Sequence, residues 1–366
     1  MQIYRVGGFV RDKLLGLTPH DCDYVVVGST PQEMLKLGFR QVGKYFPVFL
    51  HPKTNEEYAL ARTEKKSGLG HTSFEVDCSK HVTLEQDLSR RDLTINAIAQ
   101  DRDGKLIDRF NGQKDLSAKI LRHISSAFSD DPLRILRVAR FAAKFNFAVA
   151  EETIQLMKDM STTRELTTLS RERVINELDK ALDANYSQLF FEVLHNTNNL
   201  NLAFPSIAKI YNQFNSHIVN VLNSKEAKYQ YLAILLVQNG LPESIKELSL
   251  DKKTLKLMYN SQLVHQLCAN NELLDDEILQ KLKQIDIFRH LELFTSITAN
   301  YSKYLQIINH NTMLTSLQLL LKTVNKITSQ SLEPLITQKL LPVQFAQAKD
   351  DLYLSIIHQI KEEQKP

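Results

Sequence analysis

At 366 residues, with 43% hydrophobic and 24% charged residues, the chain has an ordinary globular composition and is long enough for two or more domains, each with its own core. No apolar run approaches the length a bilayer requires, and three cysteines, Cys22, Cys78 and Cys268, are too few and too scattered for a disulfide framework. A net charge of +3 does not by itself indicate a nucleic-acid partner, so any basic surface must be local.

The opening MQIYRVGGFVRD enters a strand-like alternation without a basic n-region, apolar h-region or cleavage site, so a cytoplasmic protein with no membrane partner is expected. YRVGGFVRDKLLG reads as strand, Gly-Gly turn, helix. Gly7 and Gly8 let backbone approach a bulky anion, and Arg11 adds a bidentate phosphate contact from the helix. The plainer account of the same residues is a glycine turn feeding a surface helix. In HDCDYVVVG, strand alternation points Asp21 and Asp23 to one face and Cys22 to the other. Two like charges on one face repel unless a cation lies between them, and Mg²⁺ suits a site of one or two carboxylates completed by water and substrate phosphates. Solvated turn acids are the alternative, and the glycine turn just upstream favours the metal. Together the two segments read as a phosphate cradle followed by a metal site for nucleotidyl transfer, with Asp21 and Asp23 as catalytic metal ligands and Glu57 in EEYALART as a loosely held third carboxylate.

Further along, VFLH, EYALART and LTINAIAQ read as strands, while RTEKKSGLGHTSFE, residues 62–75, lacks periodicity and reads as a mobile loop. Beyond residue 120 glycine nearly disappears and apolar residues recur at three- and four-residue spacing, so the remainder is helical, with breaks near Pro205 and Pro242. The expected division is a head over 1–120, a helical neck over 121–200 and a helical body and tail over 201–366.

GGFVRD followed by DCD, then RRDLTINA, DRFNGQKDL, SDDPLRILRVARF and LSRERVINEL, resembles in order and spacing the motifs of the bacterial class II tRNA nucleotidyltransferases, the CCA-adding enzymes. The resemblance covers about the first half of the chain. It implies an α+β fold: a polymerase-β-like nucleotidyltransferase head of mixed sheet and helices, followed by all-α neck, body and tail. It also implies addition of C, C and A to the 3′ end of tRNA from CTP and ATP without a template, with Mg²⁺ on Asp21 and Asp23. By the same resemblance Gly8, Arg11, Arg91, Arg137 and Arg140 contact the nucleotide, and the helical region binds the tRNA acceptor arm; no protein partner is implied.

Base choice has a reading of its own. Arg134, Arg137, Arg140 and Lys144 share roughly one helical face, with Pro132 and Asp131 at its start. A carboxylate only accepts hydrogen bonds and a guanidinium only donates, so Asp131 facing the exocyclic amine and Arg134 facing the ring nitrogen suit cytosine and adenine and repel guanine and uracil. A basic helix solvated or bound to RNA phosphates is the alternative. Relatives with this head often carry a metal-dependent His-Asp phosphohydrolase domain, but here Leu235 and Leu236 stand where the ligands would be and His217 is isolated, so no phosphohydrolase activity is expected. Poly(A) polymerases share the head, enzymes adding only CC or only A are close variants, and a tRNA-binding protein with a relic site is the non-enzyme alternative.

Overall fold

The computed structural model describes residues 1–19, 22–42, 48–66, 74–270 and 272–363. Alternating apolar residues in QIYRV and DYVVV form β1 (Gln2–Val6) and β2 (Asp23–Val27), an antiparallel pair at the middle of a seven-stranded sheet. The other members are β3 (Arg40–Val42), β4 (Val48–Leu50) and β5 (Glu57–Leu60) on one side; after β6 (Thr63–Lys66) and β7 (Phe74–Asp77), β8 (Ile98–Gln100) and β9 (Leu106–Asp108) complete the other. The order is β3-β4-β5-β2-β1-β8-β9, and only β2 and β5 run parallel, giving the mixed sheet expected. Strand alternation splits the core: Val25 packs with Val6, Leu88 and Ala99 on one face, Val26 with Met34, Phe49 and Leu60 on the other.

Two local expectations are corrected. Residues 62–75 are not loop throughout, because Thr63–Lys66 pairs antiparallel with Phe74–Asp77; residues 67–73 lie outside the described set. Glu64 takes hydrogen bonds from Arg62 and Arg90, so the strand is held by charge pairs that hydrophobic periodicity does not register. In LTINAIAQ, Thr94–Asn96 is a 3₁₀ turn and only Ile98–Gln100 is strand, because Asp115 captures the Thr94 hydroxyl at 2.7 Å and the Ala97 amide bonds back to Thr94.

Helices α1 (Gly8–Leu14), α2 (Pro31–Lys36), α3 (Leu84–Ser89) and α4 (Gly112–Ala118) accompany the sheet. After them come α5 (Leu133–Phe145), α6 (Glu151–Thr163), α7 (Arg171–Leu182), α8 (Gln188–Asn196), α9 (Leu200–Ala203) and α10 (Pro205–Ile210). Two short parallel strands, Ile120–Leu121 and Ala148–Val149, tie the start of this helical stretch together. The chain divides into two compact units, Met1–Ala208 and Lys209–Pro366, so the residues assigned to head and neck fall in one unit. The second unit is helical among its described residues: α11 (Ser216–Val221), α12 (Lys225–Gln238), α13 (Lys252–Ala269), α14 (Asp275–Ile285), α15 (Leu291–Ile307), α16 (Asn311–Ser329), α17 (Glu333–Ile336) and α18 (Pro342–Glu362), with a 3₁₀ stretch at Pro242–Leu248. No helix is long and apolar enough to cross a membrane among the described residues.

Candidate active site

Strand register gathers the first parts of the site. Val6, the last residue of β1, pairs with Asp23, the first of β2, and Asp23 pairs in parallel with Glu57, the first of β5. The Gly7-Gly8 turn, Asp23 and Glu57 therefore meet at one end of the central strands, with both carboxylates exposed. Asp21, the expected companion of Asp23, lies outside the described residues. No cluster of three or more His, Cys, Asp or Glu stands together among the described residues, so the metal fit rests on the chemistry of the Asp23 and Glu57 pair. Neighbouring carboxylates of one charge favour a shared cation, and an all-oxygen donor set fits Mg²⁺.

The glycines make room for protein groups. Gly7 has φ +68°, and a Cβ there would meet Arg91 Nη1 at 3.1 Å; a Cβ on Gly8 would meet Arg11 Nη2 at 3.4 Å. The bare backbone makes room for two guanidinium groups as well as for a ligand.

Those groups and α5 enclose a cavity of about 500 Å³. Its lining unites Gly8, Arg11, Asp23, Arg91, Asp131, Arg134, Arg137 and Arg140, all named from sequence, while Glu57 lies outside it. The basic stripe of α5 faces inward because its opposite face is core, with Ile135, Leu136, Val138 and Ala142 buried. Arg134 gives Nη1 to the Ala127 carbonyl at 2.6 Å and Nη2 to the Arg90 carbonyl at 2.7 Å, which fixes its guanidinium plane. Asp131 accepts the Leu133 amide on Oδ1 and Arg173 Nη2 on Oδ2, each at 3.0 Å, so its partner is Arg173. Arg137 donates Nε to Asp92 at 2.7 Å, and Arg140 donates Nε to Glu177. Beneath the row lies the Phe141 ring, with the guanidinium carbons of Arg140 and Arg11 4.2 and 5.1 Å from its centroid.

Buried Asp92 and Asp87 also hold arginines from behind. Asp92 accepts Asn96 Nδ2 at 2.9 Å and Arg137, while Asn96 accepts Arg11 Nη1 at 2.6 Å. Burial alone would raise the Asp92 carboxyl, but Arg137, the Asn96 amide and Arg134 outweigh it and hold it well below the usual carboxylate range. Arg137 is raised in turn, chiefly by Asp92. Fully buried Asp87 accepts Arg90 Nη2 at 2.6 Å, Arg91 Nη2 at 3.2 Å and the Arg62 amide at 3.2 Å. Burial pulls its carboxyl upward, and Arg91 and Arg90 overcome that and lower it. A second hollow of about 310 Å³ shares Asp23, Arg90 and Arg91 with the first and adds Glu57 and Arg62.

Sequence reasoning missed Asp87, Arg173, Glu177 and Phe141 as individual residues. Arg173 and Glu177 stand in LSRERVINEL, where their spacing of one helical turn was the available signal. Asp92 and Asn96, in the RRDLTINA motif, brace Arg137 and Arg11.

The profile of the Poly A polymerase head domain matches residues 3–122, and that of the "Probable RNA and SrmB- binding site of polymerase A" matches residues 146–211. Among solved structures, the Bacillus stearothermophilus CCA-adding enzyme in complex with CTP shares the fold at a TM-score of 0.69 and 22% identity, over 98% of this chain and 89% of that one. The Thermotoga maritima CCA-adding enzyme complexed with tRNA does so at a TM-score of 0.63 and 20% identity, over 100% and 92%. The CCA-adding enzyme of Francisella tularensis subsp. tularensis is 44% identical over 93% of this chain and 96% of its own length. That of Francisella tularensis subsp. novicida is 43% identical over 98% of both chains, and with likeness of that depth from end to end, this chain belongs to the CCA-adding enzymes.

Proposed function

We propose that this protein adds C, C and A to the 3′ end of tRNA from CTP and ATP, and that the cavity walled by Gly8, Arg11 and the α5 arginines seats the nucleotide. The observation that carries this is the convergence of Asp23, the glycine turn and Arg134, Arg137 and Arg140 on one 500 Å³ hollow, a size suited to a nucleoside triphosphate. Arg11, Arg91, Arg137 and Arg140 bind the triphosphate; the acceptors behind them occupy one to three of the five donors on each and leave the others for phosphate oxygens. Asp131 accepts the exocyclic amine of cytosine or adenine and Arg134 donates to the neighbouring ring nitrogen. Guanine and uracil would place acceptor against acceptor and donor against donor, at about 1–3 kcal/mol for each unpaired buried group.

The family is generally divalent-metal dependent, and the finer reading here is Mg²⁺ held by Asp21 and Asp23 with Glu57 alongside. When bound, the metal activates the 3′-hydroxyl and neutralises the leaving pyrophosphate. The adjoining hollow beside Glu57 and Arg62 admits the terminal ribose of the tRNA, across Asp23 from the nucleotide. The helical region grips the acceptor arm by phosphate contacts and shape, and the protein works in the cytoplasm.

The test is incubation of tRNA lacking its 3′ end, and of tRNA ending in CC, with Mg²⁺ and each NTP separately. Addition of CTP to the first and of ATP to the second, with UTP and GTP left unused, is expected; no labelling at all overturns the reading. The poly A polymerase head profile favours one second reading, a poly(A) polymerase, which would instead grow long tails from ATP alone.

A further inference from the structure

Asp131 and Arg140 are each held by a side chain of another helix. Arg173 and Glu177 lie one turn apart on α7 and carry opposite charges. Arg173 Nη2 holds Asp131 Oδ2 at 3.0 Å, and buried Glu177 holds Arg140 Nε. Arg173 also lines the nucleotide cavity, and its Nη1 is buried with no hydrogen-bond partner among the described residues. A merely structural arginine would be expected to spend its buried donors on protein acceptors. This one spends Nη2 on the carboxylate that precedes α5 and keeps Nη1 buried without a protein acceptor among the described residues.

We infer that Arg173 is a positioning residue for base choice: it pins Asp131 so that the carboxylate meets the base in a single orientation. The inference rests on the nucleotide reading given above. With Oδ1 tied to the Leu133 amide and Oδ2 to Arg173, the carboxylate plane is set by two donors on different elements. Each oxygen keeps a lone pair, and an incoming amine finds an acceptor already aimed. Without Arg173, Oδ2 loses its fixed partner and the group turns about its last torsion, where carboxylates have broad minima. Such a carboxylate rejects a base carbonyl less strictly, because it swings aside and a water fills the gap. Glu177 does the parallel service for Arg140, a phosphate-side residue, so its loss should weaken binding of every nucleotide alike.

The experiment measures kcat/KM for single additions of CTP and UTP to tRNA lacking its 3′ end and of ATP and GTP to tRNA ending in CC, in wild type, Arg173→Ala, Arg173→Lys and Glu177→Gln. Arg173→Ala is expected to lower the preference for CTP over UTP by roughly 10–100-fold, the scale set by one unpaired polar group. Arg173→Lys, which keeps the charge but not the planar fork, should recover part of that preference. Glu177→Gln should raise KM for CTP and ATP together with the base ratio unchanged. A CTP-to-UTP ratio in Arg173→Ala equal to wild type, with all four rates falling in step or none falling, overturns the inference. Thermal unfolding is followed in parallel, and if Arg173→Ala does not fold, Arg173→Gln is read by the same ratio. Wild-type protein that adds no nucleotide counts against the functional reading itself, whereas addition with an unchanged ratio counts against Arg173 alone.

Discussion

The two units of the chain solve the burial of polar groups differently. Met1–Ala208 buries several charged side chains among its neutral ones and pairs them, with Asp87 against Arg90 and Arg91, Asp92 against Arg137 and Glu177 against Arg140. In Lys209–Pro366 the described pairs are mostly neutral: Asn300 donates to Gln230 at 2.7 Å, Gln262 donates to the Ala233 carbonyl at 3.3 Å, and His265 meets the Tyr301 hydroxyl at 2.7 Å. A charged network aims groups at a ligand but fails sharply when one partner is removed. A neutral network loses about one hydrogen bond at a time.

The largest effect that would break this contrast is at the start of the central strand β2. Asp23→Asn should cut kcat for CTP addition by on the order of 10³-fold, since a metal site contributes several kcal/mol to the barrier. Its unfolding midpoint should not move, and a variant that kept wild-type kcat would remove Asp23 from the chemistry.

Next comes Asp87→Asn. Loss of a buried carboxylate facing two guanidiniums should destabilise the first unit by about 3–5 kcal/mol, read by urea unfolding. The pH dependence carries the same sign. Asp87 and Asp92 are held below their usual range in the folded chain, so below about pH 4 the unfolded chain binds protons first. Their stabilisation is complete above that pH and is lost as pH falls through the folded values.

How much of this was legible in the sequence follows the range of each interaction. The strand-turn-helix at Gly7-Gly8 and the DYVVV strand are local, and hydrophobic period and turn chemistry show them directly. The arginine stripe of α5 was legible for the same reason, since three- and four-residue spacing fixes a helical face. What period cannot show is which acid meets which arginine: Asp92 and Arg137 are 45 residues apart, and Asp131 and Arg173 are 42 apart. Those partners are chosen by how α5 crosses α7 and the RRD turn. Likewise the edge strand Thr63–Lys66 is written in charges, and pattern reading took it for loop.

A smaller effect sharpens the account of the turn. Gly7→Ala forces a side chain onto φ +68° and against Arg91 Nη1, so stability should fall by about 1–2 kcal/mol. KM for CTP should rise because Arg91 is displaced; an unchanged KM would mean Arg91 does not touch the nucleotide.

The smallest effects belong to the neutral unit. Tyr301→Phe removes the partner of His265 and should cost about 1 kcal/mol. Burial, with a lesser contribution from His310, lowers His265 from 6.5 to about 4. The unfolded chain therefore takes up a proton that the folded chain refuses, and the second unit should lose stability as pH falls from about 6.5 to about 4. His265→Gln should flatten that slope in unfolding measured across this range, two pH units above the window in which the charged unit weakens. Coincident acid transitions in both units would erase the contrast.

The central place of β1 also bears on biosynthesis. It leaves the ribosome before either of its ladder partners, β2 and β8, and the second ladder closes only once Gln100 has been made. Until then one row of its amides and carbonyls stands open, the kind of template on which nascent chains pair with each other. Stalled chains ending near residue 90 should therefore be cut rapidly by protease within Gln2–Val6, and chains long enough to free Phe145 should resist.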